Sequence, residues 1–152
     1  MPHGVMNQAP SNRKGKAERG VKSSGTKHKR GVDALVEMTL RFDSRVRYCA
    51  IIDERGAEIA GGMRPGVRSL ESKSEGPRLR GQSVIVRAMA ETWDDVHGRA
   101  DYMIVHRGRV SLFFFFLAGS RLLLVSTEPD YPLQRFQALA ELIAKWKPVR
   151  NG

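Results

Sequence analysis

Leu112-Phe113-Phe114-Phe115-Phe116-Leu117, followed by Leu122-Leu123-Leu124-Val125, is the stretch that decides the fold. A strand with one wet face alternates apolar and polar residues. Neither run alternates. Both are too short to cross a bilayer, and Gly119-Ser120 stands between them as a turn. They read as adjacent central strands buried on both faces, which calls for helices above and below the sheet. Alternate side chains of a strand point to opposite faces. Phe113 and Phe115 are therefore expected under one helix layer, and Phe114 and Phe116 under the other.

Upstream, Tyr102-Met103-Ile104-Val105 leads through Arg107-Gly108 into the phenylalanine run, so three strands form an antiparallel meander. Downstream, Asp130-Tyr131-Pro132 is an entry signal for a helix. Leu133, Phe136, Leu139, Ala140, Leu142, Ile143 and Trp146 fall at helical spacing, and Pro148 ends the element. Before the meander, Val84, Ile85, Ala88, Met89, Trp93 and Val96 form one apolar face of a helix over 83–96, stopped by Gly98. Earlier still, Val46 to Ile52 is a strand, Asp53-Glu54-Arg55-Gly56 a tight turn capped by the Asp53 carboxylate, and Ala57 to Gly62 a short strand weakened by Gly61 and Gly62. Val32, Leu35, Met38, Thr39 and Phe42 mark a first helix.

The order is helix, two strands, helix, three strands, helix. This gives an α/β fold of three layers, α-β-α, around a central five-stranded antiparallel sheet with αββαβββα order. The glycine-bearing second strand belongs at an edge. The first and last helices share one face, and the middle helix covers the other. Residues 63–81 form a long loop rich in proline, glycine and charge, an unusual length for a compact domain, so the stretch is functional, partly ordered with a short helix, or an insertion; within it, Arg64 and Arg68 read as part of a flexible charged segment.

The chain has 152 residues and a formal charge of +10, a length that suits one domain. Most of the positive excess lies in residues 1–31, where Arg13, Lys14, Lys16, Arg19, Lys22, Lys27, Lys29 and Arg30 face only Glu18. That segment has too little apolar surface to offset its ordering entropy and reads as a disordered basic tail. As a nucleic-acid arm it would contact phosphates through those eight residues, without sequence preference and with steep salt dependence. The folded domain is expected over 32–147, with 148–152 a C-terminal tail. The lone Cys49 cannot form an internal disulfide and lies in an apolar stretch, which fits a reduced, cytoplasmic setting. There is no signal peptide pattern and no apolar run long enough for a membrane span, so no membrane partner is expected.

The chemistry-bearing residues form no catalytic constellation. The four histidines, His3, His28, His97 and His106, have no metal-ligand spacing among them. Asp53-Glu54 and Asp94-Asp95 sit in a turn and at an exposed helix end, which is not how a working carboxylate pair is held. Gly61-Gly62-Met63-Arg64-Pro65-Gly66 lacks the lysine and hydroxyl of a phosphate loop. No catalytic residue, metal or cofactor is expected.

The hairpin phrase Tyr48-Cys49-Ala50-Ile51-Ile52-Asp53-Glu54-Arg55-Gly56-Ala57-Glu58-Ile59-Ala60-Gly61-Gly62, in this element order, resembles the opening hairpin of the Roadblock/LC7 domain, a relative of profilin-like folds. With Met63 to Gly66 and the turn at His106-Arg107, it looks closer still to a group of small uncharacterised archaeal proteins of that type. The basic tail and the 63–81 loop depart from a stand-alone domain of this kind. The resemblance implies a non-enzymatic regulatory or scaffolding module, often associated with small GTPases. It also implies a homodimer that pairs an edge strand, here Tyr102 to Val105, and brings the middle helices together. On that reading Arg87, Trp93, Tyr102 and Ile104 are interface candidates. Two other readings stand beside it: a PAS- or GAF-like ligand sensor with a cavity lined by Phe113 to Phe116 and Tyr48, and a nucleic-acid-associated protein acting through the tail.

Overall fold

In the computed structural model, residues 22–146 are described, with side chains from 29 onward. The elements are α1 (Lys22–Phe42), β1 (Val46–Ile52), β2 (Glu58–Met63), α2 (Glu75–Glu91), α3 (Asp94–His97), β3 (Tyr102–His106), β4 (Ser111–Leu117), β5 (Arg121–Thr127) and α4 (Leu133–Lys145). The strands form one antiparallel sheet in the order β2-β1-β5-β4-β3. The two non-alternating runs are β4 and β5. They pair with each other through Phe114 and Leu124 and lie inside the sheet, so both of their faces are covered.

The four phenylalanines divide as strand geometry requires. Phe113 and Phe115 join Leu123 and Val125 in a core completed by Val32, Leu35 and Val36 of α1 and by Phe136, Leu139 and Ile143 of α4. The Phe136 ring stacks on Phe115 at 5.7 Å and meets Phe113 edge-on at 4.7 Å. Phe114 and Phe116 point to the other face, with Leu112, Leu122 and Leu124, towards α2. Cys49 lies in the first core, and burial pushes its thiol up to about 12, so it is an inert packing group.

The base of the α1/α4 layer is tied by charge. The Asp43 carboxylate accepts from the Arg45 backbone and guanidinium and from Arg135 of α4, at 2.9–3.0 Å. These donors, the Arg45 side chain first, hold the Asp43 pKa well below the usual carboxylate range despite its burial. Arg64 donates to the Leu40 carbonyl and, at 2.6 Å, to those of Asp43 and Val46. It satisfies the orphan carbonyls at the end of α1. Arg64 is thus a fixed cap rather than part of a flexible segment.

Boundaries differ from expectation in two places. The first helix begins at Lys22, not Val32. A helix nucleated by the buried Val32, Leu35, Val36 and Thr39 gains one hydrogen bond for each further residue fixed, which Lys22, Lys27, Lys29 and Arg30 favour and Gly25 and Gly31 oppose. The expected tail residues Lys22, Lys27, Lys29 and Arg30 therefore lie on α1. Lys29 and Arg30 are exposed, whereas Arg13, Lys14, Lys16 and Arg19, like the C-terminal residues 148–152, lie outside the described residues. The expected 63–81 loop is also shorter. Ser72 and Glu75 cap each other, the Ser72 amide donating to Glu75 at 2.8 Å and the Glu75 amide to the Ser72 hydroxyl at 3.3 Å. Pro77 occupies the first turn, where a missing N–H costs nothing.

The opening hairpin is built as its phrase indicates. Asp53 accepts from the Arg55 and Ala57 amides at 2.9 Å, which lowers its pKa, and Gly56 takes φ 83°. Gly61 lies against Ala50, where an added Cβ would come within 2.5 Å of the Ala50 Cα. The glycine lets the two backbones close rather than merely weakening the strand.

Candidate interaction surface

The middle helix packs differently from the other two. Its sheet-facing positions are Leu79, Ser83 and Val86: only Ser83 is fully buried, and its hydroxyl has no partner among the described residues. The residues expected to form its buried face point elsewhere. Ile85 is 61% exposed, Met89 62%, Trp93 56% and Val96 72%. Val84 and Ala88 are exposed as well. The apolar stripe of 83–96 is therefore not the core face of α2. Beyond the break at Thr92 two more exposed apolar residues follow, Trp93 and Val96, and the Trp93 ring stacks on His97 at 5.4 Å.

Arg87, taken from sequence as an uncovered residue, is turned inward. Its side chain is only 13% exposed, pairs with Glu91 at 2.6 Å and donates to the Ser120 carbonyl in the β4–β5 turn. Ser120 offers that carbonyl from a left-handed conformation, φ 60°. Arg87 is a strut holding α2 to the sheet, which leaves Trp93 as the exposed member of that pair.

β3 ends the sheet on this side, so its outer backbone edge has no strand partner among the described residues. Tyr102 and Ile104 are both exposed by more than two-fifths. Tyr102 is anchored, its ring meeting Phe136 at 4.9 Å and Phe115 at 6.2 Å. Met103 and Val105, on the other face of the strand, pack into the cluster that Leu79 and Val86 of α2 also join. An open strand edge and an uncovered apolar helix stripe are thus linked through one packed cluster. An open edge recruits another strand, and contiguous exposed apolar residues mark an association surface.

Among the described residues, no group of three or more His, Cys, Asp or Glu side chains is placed to hold a metal. No helix among the described residues is long and apolar enough to cross a membrane. Phe113 to Phe116 and Tyr48 do not line one shared cavity: Phe113 and Phe114 are buried in packing, Phe115 and Phe116 line an open cleft with Tyr102 and α4, and Tyr48 lines a separate space with Leu112 and Leu124.

Neither a family model nor a curated protein sequence matches the chain. Solved structures do. The fold is similar to a structure of MglB with a tetrameric arrangement, at 18% identity and TM-score 0.64, covering 85% of this chain and 93% of that one. It is similar to the gliding protein MglB from Thermus thermophilus, at 18% identity and TM-score 0.60 over the same shares. A Roadblock/LC7 domain from Streptomyces avermitilis matches at 8% identity and TM-score 0.55, over 74% of this chain and 93% of that one. At such identities the likeness concerns the fold, and with the sheet order and helix layers above it shows that this chain has the three-layer Roadblock/LC7-like fold.

Proposed function

We propose that this protein is a non-enzymatic regulatory module that works as a homodimer and docks a small GTPase. The observation that carries the reading is the exposure of Ile85, Met89, Trp93 and Val96 together with the open β3 edge. A lone chain would leave both in water. A second copy with its β3 antiparallel to the first would extend the sheet, and two α2 helices brought together would cover each other's stripe. Isologous pairing of this kind is the commonest solution for a self-complementary patch. Trp93, Tyr102 and Ile104 would contribute to the contact. The GTPase part rests on the fold's likeness to MglB and to Roadblock domains, and a reduced, cytoplasmic setting accords with the lone buried Cys49.

The GTPase part is tested with the full chain as bait for GTP-binding proteins in extracts preloaded with either GDP or a non-hydrolysable GTP analogue. The reading predicts recovery of one GTP-binding protein with a preference between the two nucleotide states, and its loss with the Ile85→Asp/Met89→Asp double variant. Recovery of none, or equal recovery by the variant, contradicts it.

A further inference from the structure

Beneath the segment joining β2 to α2 lies a space of about 260 Å³ that packing has not closed. Its floor is apolar and deep: Leu112 is 4% exposed and Leu124 is fully buried. Its rim carries the cations Arg47, Lys73 and Arg80 together with Glu71. Arg47 is engaged by Glu128, while Arg80 is held only loosely by Glu58. Glu58 accepts from the Tyr48 hydroxyl at 2.7 Å and lies 3.5 Å from Arg80, and Glu128 accepts from Arg47 at 2.8 Å. Lys73 has no ion pair among the described residues.

The walls are held from several sides. Arg64 pins the start of the segment to the end of α1. Arg47 donates to the Arg68 carbonyl at 3.0 Å and so fixes its middle. The reciprocal Ser72–Glu75 cap fixes its end. The space is therefore a preformed feature, not a gap that a loop shift would close. An apolar floor with a few convergent polar groups is the usual make-up of a small-molecule site. Its volume would hold roughly nine waters, too little for a nucleotide with its phosphates.

We infer that this pocket binds a small amphipathic carboxylate, with the apolar body on Leu112 and Leu124 and the charged head at Arg80 and Lys73. The inference does not depend on the interface reading, because the pocket lies on the sheet side of α2 and the proposed interface on its outward side.

The test is a titration of the isotopically labelled full chain followed by amide NMR, with sodium octanoate as probe and 1-octanol and inorganic phosphate as controls. Octanoate is expected to move the amides of Tyr48, Lys73, Leu79 and Ser126 saturably. Octanol should bind about tenfold more weakly, the worth of a charge-assisted hydrogen bond, and phosphate alone should leave these amides unmoved. Lys73→Gln/Arg80→Gln should lower octanoate affinity about tenfold without affecting octanol. Ser126→Leu, which fills the pocket from β5, should abolish both. No saturable shift with octanoate, equal binding of octanol, equal shifts with phosphate, or shifts centred on Ile85 and Met89 would each overturn the proposal. So would unaltered octanoate binding in the charge variant, which preserves every apolar wall.

Discussion

The two faces of the sheet are made from the same strands and covered in opposite ways. On one, α1 and α4 press Leu35, Phe136, Leu139 and Ile143 onto Phe113, Phe115 and Val125, and Asp43 ties both helices down through Arg45 and Arg135. On the other, α2 offers Leu79, Ser83 and Val86, and sends Ile85 and Met89 outward. A leucine in the middle of the α4 contact is matched by a serine in the middle of the α2 contact. The lesson is that the first face holds the domain together, whereas the second leaves apolar area exposed.

The contrast is sharpest in thiol reactivity. Cys49 is fully buried on the closed face with its thiol pushed up to about 12. It is expected to react with a thiol reagent at neutral pH only through unfolding, several orders of magnitude more slowly than a cysteine placed by Met89→Cys on the open face. Comparable rates at the two sites would erase the distinction.

Stability should divide the same way. Leu139→Ala removes a fully buried side chain and is expected to cost about 3 kcal/mol in urea unfolding. Leu79→Ala, on the half-buried inner side of α2, should cost about 1 kcal/mol. Equal costs would mean that α2 is as firmly seated as α4.

Next in size is the charge tie. Asp43→Asn keeps the shape but loses the charged hydrogen bonds, and is expected to cost about 2 kcal/mol at neutral pH, allowing for the part-exposed arginines. The sign of the pH effect follows from the lowered pKa. The contribution is complete above the free carboxylate value near 4 and fades as pH falls through the depressed folded value. Wild type should therefore lose stability on acidification below about pH 4 more steeply than Asp43→Asn. Parallel acid profiles would show that the tie carries no linkage.

The smallest effect is expected at the strut. Arg87→Ala frees α2 from the Ser120 carbonyl and should cost under about 1 kcal/mol, while raising hydrogen exchange along α2 and leaving α4 unchanged. A uniform rise in both helices would contradict independent seating.

Much of this architecture was legible in the chain. The non-alternating runs at 112–117 and 122–125 located the sheet centre, because only strands covered on both faces dispense with polar positions. Asp53 and Gly56 marked their turn, and Phe113 to Phe116 sorted by the two-residue period. The open face was not legible. Apolar spacing over 83–96 shows which side of a helix avoids water, not whether a sheet or another molecule supplies the cover, so Ile85 and Met89 read as core and Arg87 as surface. The earlier start of α2 did have a signal in Ser72-Lys73-Ser74-Glu75, a capping box just ahead of Pro77. The capping role of Arg64 had none, since its three carbonyl partners converge only in the folded chain.

The central claim is that the uncovered stripe of α2 and α3 is satisfied by a second copy of this chain. Light scattering across a concentration series measures it directly, with the full chain beside Ile85→Asp/Met89→Asp. The account predicts twice the monomer mass for the wild type, falling to the monomer mass in the variant while its circular dichroism is unchanged. A wild type that stays monomeric at high concentration, or a folded variant that still dimerises, would contradict it.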